Sequence, residues 1–382
     1  MNAFSSFTPG HDAYRERVRA FAQSELRPHS RRWDEAGVLP REALRAMGRA
    51  GVLGVIAPRE LGGEARDFVS LGIAIEEIAA ADLSCALIAW QQATFARFFP
   101  GWGDDVVRAV VKGDACLALA TSEEDAGSDV SAMRTTAVPQ GDRYRVSGTK
   151  VHVSQVPGAD WIAVSARVEG GDGKRPMVLL KVPADAPGLQ SEAMPQMGVR
   201  AHQLGIVRLD GVEVPRAATL GVEGEGKSLM YARYAVSRCM SPLAALGAAR
   251  AVLDETMDFA RAKVVFGRPI AANQSISFPL VEHHTRIEAA RYMAYRALAR
   301  SDAGSGEMRD AVMAKWLGIT TGVQAIQDCL QLWGANGYLR DHGIEQRLRD
   351  ANALYFTGGT LQIMKVMLVR DLLGAEFAGL RA

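Results

Sequence analysis

WIAVSARV, residues 161–168, decides how the chain is divided. Its β-branched and aromatic residues favour an extended strand, and PMVLLKV (176–182) and GIVRLDGVEV (205–214) have the same texture. Seven of the 15 prolines (139, 157, 176, 183, 187, 195 and 215) fall in this part of the chain, where they forbid long helices. The pairs Gly141-Asp142 and Asp210-Gly211 supply turns between the runs. A domain of hairpins, a small β-barrel, is predicted over residues 115–220. Outward from it the period changes. DAYRERVRAFAQSEL (12–26) places Val18, Phe21 and Ala22 on one helical face, and FVSLGIAIEEIAAAD (68–82) does so with Leu71, Ile75 and Ile78. Beyond Pro279 there is no proline, alanine is abundant, and Ile287, Ala290, Ala294 and Ala297 keep one face. The predicted fold is therefore mainly α with a central β-barrel domain: helices over 1–114, strands over 115–220, and a helical bundle over 221–382.

A formal net charge of +1 on 382 residues gives no electrostatic reason to expect nucleic acid or an anionic membrane as partner. The first residues lack the apolar core of a signal peptide, and no apolar run is long enough to span a bilayer, so a cytoplasmic location is expected. Cys85, Cys116, Cys239 and Cys329 are isolated from one another, with no metal spacing, and read as buried reduced thiols. GVEGEGKS (221–228) satisfies the pattern of a phosphate-binding loop. Pro215 interrupts the strand such a loop needs, and Glu223 and Glu225 repel a triphosphate, so the stretch reads as the entry to a long helix.

Four stretches carry chemistry. They are LALATSEEDAGSD (117–129) with the hairpin YRVSGTKVHVSQ (144–155), FGRPIAANQ (266–274), QLWGANGY (331–338), and RDANALYFTGGTLQI (349–363). In this order, within a helix–strand–helix chain, they resemble the acyl-CoA dehydrogenase family of FAD flavoproteins along nearly the whole length. The resemblance implies a C-terminal four-helix bundle, FAD as cofactor, an acyl thioester of CoA or an acyl carrier protein as substrate, and α,β-dehydrogenation as the reaction. It further implies a homotetramer or homodimer, and electron-transferring flavoprotein as acceptor.

Carried over residue by residue, Leu119, Thr121 and Ser122 lie along the flavin ring, and Gly127 and Ser128 near pyrophosphate and pantetheine. His152, Val153 and Ser154 stand where the family writes a tryptophan or phenylalanine, an isoleucine and a threonine. Ser154 thus keeps the hydroxyl, while His152 keeps a flat ring and adds a titratable group. Lys263 replaces an arginine that reaches a neighbouring subunit's FAD. It keeps the charge and loses the bidentate fork. Phe266 and Gln274 from the same segment, and Gln331 and Gly334, face that same neighbouring cofactor. Thr360 and Gln362 open a helix whose N-terminal amides face the flavin, and Ser128, Tyr234, Arg238 and Gly359 are placed against substrate.

YFTGGTLQI (355–363) departs from the pattern. Aligned on Arg349-Asp350 and Gly359-Thr360, the usual catalytic glutamate falls on Gly358. The alternative seat, just before the arginine of the first bundle helix, is Ser237. Gly358 retains its N–H, one of the family's two donors to the thioester carbonyl, so the half of the site that stabilises an enolate is expected to survive. Tyr234, one turn before Arg238, is a candidate base. Asp82 and Glu123 read as surface or capping carboxylates, and His283 and His284 as structural. Ala235 replaces an aspartate near the CoA end, which leaves carrier-protein thioesters open. Alternatives on the same fold are a flavin-dependent oxygenase or oxidase, and a non-catalytic subunit of a heteromeric dehydrogenase.

Overall fold

The computed structural model describes residues 7–170 and 176–379. Six helices come first: α1 (Pro9–Phe21), α2 (Ser30–Ala36), α3 (Arg41–Arg49), α4 (Phe68–Ala81), α5 (Leu83–Phe98) and α6 (Asp104–Lys112). Thr8 and His11 form a reciprocal cap on α1, with Pro9 at its first position. Asp82, in extended conformation, splits α4 from α5. Its carboxylate accepts from the Cys85 amide at 2.7 Å and from the Ser30 hydroxyl at 2.6 Å, so it is a buried cap.

α4 and α5 are buried on all sides, as expected of helices sandwiched between layers. The carboxylate of Glu76, fully buried on α4, accepts from Arg15 of α1. It also accepts from Arg291 and the Tyr295 hydroxyl, both of the bundle. Burial alone raises its pKa, but Arg291, Arg15 and Arg250 outweigh it and hold the carboxyl down at about 2.

Seven strands follow: β1 (Leu117–Ala120), β2 (Thr136–Gln140), β3 (Arg143–Ser154), β4 (Trp161–Val168), β5 (Met177–Pro183), β6 (Leu189–Ala193) and β7 (Leu204–Pro215). They pair in the order β1-β4-β2-β3-β7-β6, with β5 also on β4. Ala118, Val146, Val164, Leu180, Val207 and Val212 fill the concave side. The expected barrel is a curled, open sheet. β6 finds β7 alone among the described strands, and its alternation is too polar to bury a second edge. The β3–β7 ladder shifts register between Lys150 and Val153, and His152 sits in that irregularity with φ +55°, exposed to solvent.

α7 (Gly226–Ala262) then runs 37 residues, ~55 Å at ~1.5 Å per residue. The 221–228 stretch opens this helix, and Glu223 is tied to the Tyr144 hydroxyl and Arg216. A small hairpin of β8 (Val264–Val265) and β9 (Arg268–Pro269) leads to α8 (Gln274–Asp302), α9 (Met308–Leu332), α10 (Ala335–Tyr338), α11 (Ile344–Asn352) and α12 (Leu361–Leu372). α7, α8 and α9 pack on one another, and α12 lies on α9. α4 crosses α7 closely at Gly247, where an added Cβ would stand 2.2 Å from the Glu76 carbonyl oxygen. Among the described residues no helix is long and apolar enough to cross a membrane. All four cysteines are free and buried.

Candidate flavin and thioester site

β1 delivers Leu119, and Thr121 and Ser122 follow it, side by side with the bulged part of β3. The Val151 amide donates to the Ser122 carbonyl at 2.9 Å. A buried ion pair sets this junction. Lys150 Nζ, fully buried, donates to Glu123 at 2.8 Å, and the same carboxylate accepts from the Thr135 hydroxyl at 2.6 Å and the Arg134 and Thr135 amides. Burial pushes the Glu123 carboxyl up, but Lys150, Thr135 and the Arg134 amide hold it down at about 2. Burial pushes Lys150 down to about 8 against the pull of Glu123, so both are charged at neutral pH. Glu123 is a brace for the loop, not a surface group. Thr121 and Ser122 are half-buried, and their hydroxyls have no protein partner among the described residues. Gly127 and Ser128 lie exposed beyond the turn.

At the end of β3, Val153 is buried and Ser154 half-buried. Gln91 of α5 donates to Ser154 Oγ at 3.2 Å and faces His202 Nε2 with its oxygen at 3.0 Å, which assigns the imidazole proton to Nε2. Burial pushes His202 down to about 3, so this ring stays neutral and the Ser154 hydroxyl is left free to donate outward.

One turn further along α5, Thr94 accepts from Arg233 Nε of α7 at 3.0 Å. α5 thereby joins the strand domain to the bundle. Arg233 and Arg238 are each 6 % exposed, and neither meets a carboxylate among the described residues. Arg238 stacks over Tyr234, and its Nε is orphaned. Burial pushes the Tyr234 phenol up, the opposite of what a base at neutral pH requires, so the structure removes the sequence reason for giving it that role. Ser237 is buried beside Arg238.

The 355–360 segment carries the most distinctive geometry. Gly358 and Gly359 have φ +67° and +99°, in the left-handed region that a side chain resists. Thr360 caps α12 by accepting from the Ile363 amide at 3.3 Å, and Gln362 projects into solvent. Lys315 of α9, fully buried, donates to the carbonyls of Thr357 and Gly359, both at 2.6 Å, and so straps the loop from beneath. Its Nζ stands 3.8 Å from where a Cβ on Gly358 would be. Burial, with the Arg238 charge behind it, pushes the amine down to about 7. The Gly358 N–H has no protein acceptor among the described residues.

Lys263, Phe266, Gln274, Gln331 and Gly334 form a separate group at the far end of the bundle. Lys263 caps the end of α7, Phe266 is fully exposed at φ +52°, Gln274 opens α8, Gln331 lies in the last turn of α9, and Gly334 precedes α10. Lys263 follows Arg238 by 25 residues, ~38 Å along the helix. One chain does not bring the two groups together.

Sequence reasoning missed Lys315, Arg233 and Gln91. Lys315 had a signal: with Ala311, Gly318 and Gly322 it repeats at the spacing of an inward helical stripe. His283 is buried and bonded to Asp328 at 2.8 Å, while His284 is exposed. A surface hollow of ~600 Å³, lined by Ile56, Arg66, Phe68 and Asp302, holds none of the cofactor or thioester candidates. Residue chemistry therefore locates the site better than surface shape does.

The chain matches the acyl-CoA dehydrogenase N-terminal domain over residues 8–109, the middle domain over 118–212 and the C-terminal domain over 224–373. It is 31 % identical over 373 residues to an acyl-CoA dehydrogenase of Bacillus subtilis, covering 94 % of this chain and 97 % of the relative. Similarity to the cyclohexane-1-carbonyl-CoA dehydrogenase of Geobacter metallireducens is 32 % identity over 365 residues, with 94 % and 96 % covered. The solved structure of the prolyl acyl carrier protein oxidase AnaB superposes with a TM-score of 0.89 at 26 % identity, covering 98 % of this chain and all of that one.

Proposed function

The chain belongs to the acyl-CoA dehydrogenase family, and from that premise we propose that it is a FAD-dependent oxidoreductase that desaturates Cα–Cβ of an acyl thioester. The observation that carries this reading is the unpartnered Gly358 N–H on a strapped, left-handed loop. Such a donor, fixed before substrate arrives, stabilises a developing enolate oxygen by ~2.7–4 kcal/mol. Across the cleft, the free hydroxyls of Thr121 and Ser122 and the outward O–H of Ser154 fit the polar edge of an isoalloxazine ring. Bound FAD supplies the acceptor for a hydride from Cβ.

The chain's own residues do the rest. Leu119, Thr121, Ser122, His152, Val153 and Ser154 hold the ring. Gly127 and Ser128 take the pyrophosphate and pantetheine side, and Thr360 and Gln362 approach from α12. Tyr234, Arg238 and Gly359 line the thioester. Lys263, Phe266, Gln274, Gln331 and Gly334, ~38 Å away along α7, serve the cofactor of a second copy, so the working unit is a homodimer or homotetramer. Phe266, standing clear of its own chain, supports this. Names of relatives support both CoA and carrier-protein thioesters as substrates. Electron-transferring flavoprotein as acceptor and a cytoplasmic location complete the proposal.

The test is anaerobic mixing of the FAD-loaded protein with a panel of acyl-CoA and acyl-carrier thioesters. At least one is expected to bleach the flavin absorbance. Failure of every member refutes the reading.

A further inference from the structure

We propose that Gln91 is a positioning residue for the flavin: with His202 behind it, it fixes the direction in which the Ser154 hydroxyl donates. The inference rests on the reading above of Leu119, Thr121 and Ser154 as the strand-side edge of the FAD site. α5 presents two neighbouring glutamines, 6 % and 0 % exposed, and uses them differently. Gln92 pairs with the main chain of Leu117. Its Nε2 donates to the carbonyl at 2.9 Å and its Oε1 accepts from the amide at 2.7 Å, as a neighbouring strand would. It anchors β1. Gln91 gives its amide to two side chains instead, Ser154 at the end of β3 and His202 in the turn before β7.

The direction of this chain of hydrogen bonds is set from its far end. Asp350 holds the turn at its start by accepting from the Val199 amide at 2.5 Å. Gln155 holds it at His202, whose carbonyl accepts from the Gln155 amide at 3.3 Å and from its Nε2 at 3.1 Å. The imidazole is buried and neutral, so it has one N–H. Its Nδ1 has no partner among the described residues. With the proton on Nε2, that orphan is a lone pair. With the proton on Nδ1, it would be a buried N–H without an acceptor, the rarer defect in folded proteins. Nε2–H therefore donates to Gln91 Oε1 at 3.0 Å, and the Gln91 NH₂ turns to Ser154 and donates to Oγ at 3.2 Å. The one proton left on Ser154 has no acceptor among the described residues.

The site gains a donor with a fixed aim. A serine hydroxyl left to itself rotates among staggered positions. Held by Gln91, it needs no reorganisation when charge shifts on the group it faces. Gln91 and His202 act through Ser154 alone.

A double-mutant cycle separates this role from ordinary packing. Gln91→Met removes both hydrogen bonds and nearly keeps the volume, and Ser154→Ala removes the hydroxyl. The readouts are the reduction potential of the bound FAD, by titration against a reference dye, and the rate of anaerobic bleaching by the thioester panel. FAD content and the urea midpoint check folding. Gln91→Asn, too short to reach both partners, replaces Gln91→Met if that variant loses its cofactor. Each single variant is expected to slow bleaching by ~10–100-fold, the scale for a residue that orients another at a site. Each is also expected to displace the potential in the same sense, by about tenfold in the equilibrium or ~30 mV for a two-electron couple. The double variant is expected to go no further than Ser154→Ala. Additive effects, or Gln91→Met matching wild type in both readouts, overturn the role and leave the thioester reading standing, since wild type still bleaches. Wild type that binds FAD but is bleached by no thioester refutes that reading alone, and the potentials still decide the role of Gln91. A protein that takes up no FAD overturns both.

Discussion

Glu123→Gln tests whether the loop against the proposed flavin depends on a buried charge pair. Glu123 is 9 % exposed and Lys150 fully buried, so the pair lies out of water. Glutamine keeps the shape and one acceptor oxygen, but its NH₂ turns a donor toward the Arg134 or Thr135 amide and leaves the Lys150 charge without a counter-ion. Removing one partner of a buried pair costs ~3–5 kcal/mol. The Glu123 pKa points the same way: against burial, Lys150, Thr135 and the Arg134 amide hold it down at about 2, although burial also holds Lys150 down, at about 8, and offsets part of the gain. The sign follows from the depressed folded value: this stability is present above pH ~4.5 and is lost as pH falls through about 2. Urea denaturation at pH 7 is expected to show a loss of ~3 kcal/mol for Glu123→Gln. Glu123→Gln combined with Lys150→Met is expected to lose less, because no buried charge remains. FAD content falls with the single variant, since Thr121 and Ser122 sit on the loop. A single-variant loss under ~1 kcal/mol, or a double variant worse than the sum of its parts, refutes the account.

Asp350, buried and accepting from the Val199 amide at 2.5 Å, is pushed up to about 8 by burial and by the nearby Asp82 and Asp34 charges. A raised folded value means stability that is full below pH ~4 and declines as pH rises through about 8. Asp350→Asn, which keeps the acceptor, is expected to flatten that decline and to be at least as stable as wild type at pH 8.5 in urea melts. Gly247→Ala would put a methyl 2.2 Å from the Glu76 carbonyl oxygen and force α4 from α7. A loss of ~3 kcal/mol or more is expected, at or beyond the upper end for overpacking, read as a lower urea midpoint. Phe266→Asp touches nothing in its own chain, so the circular dichroism spectrum should be unchanged, while light scattering should show smaller assemblies carrying less FAD.

The helix–strand–helix order was legible because prolines and β-branched runs are crowded into one part of the chain, leaving the flanks free for 3.6-residue periodicity. The open edge of the sheet was not. It depends on the polar, exposed β6 failing to meet β5, the strand at the other edge, and edge closure has no local signature. Gly358 and Gly359 stood out in the sequence as helix-hostile residues, and their positive φ values give the cause. The braces behind the site were harder to read. Glu123 looked like a capping or surface carboxylate until the fold placed it on Lys150, 27 residues away. Lys315 looks like one more helical lysine unless its place on the stripe with Ala311 and Gly318 is weighed above its charge.

The fully enclosed Glu76, gripped by Arg15 at one side and by Arg291 and Tyr295 at the other, bears on how the chain can be cut. The segment that ends at residue 114 looks like a module, yet its central helix finds half of its surroundings more than 170 residues further on. Expressed by itself, that segment would present a stranded carboxylate and a greasy flank to water, and is expected to precipitate unless residues 221–382 are supplied alongside. Inheritance as a block and autonomy as a folding unit are separate properties, and in this chain they part company at α4.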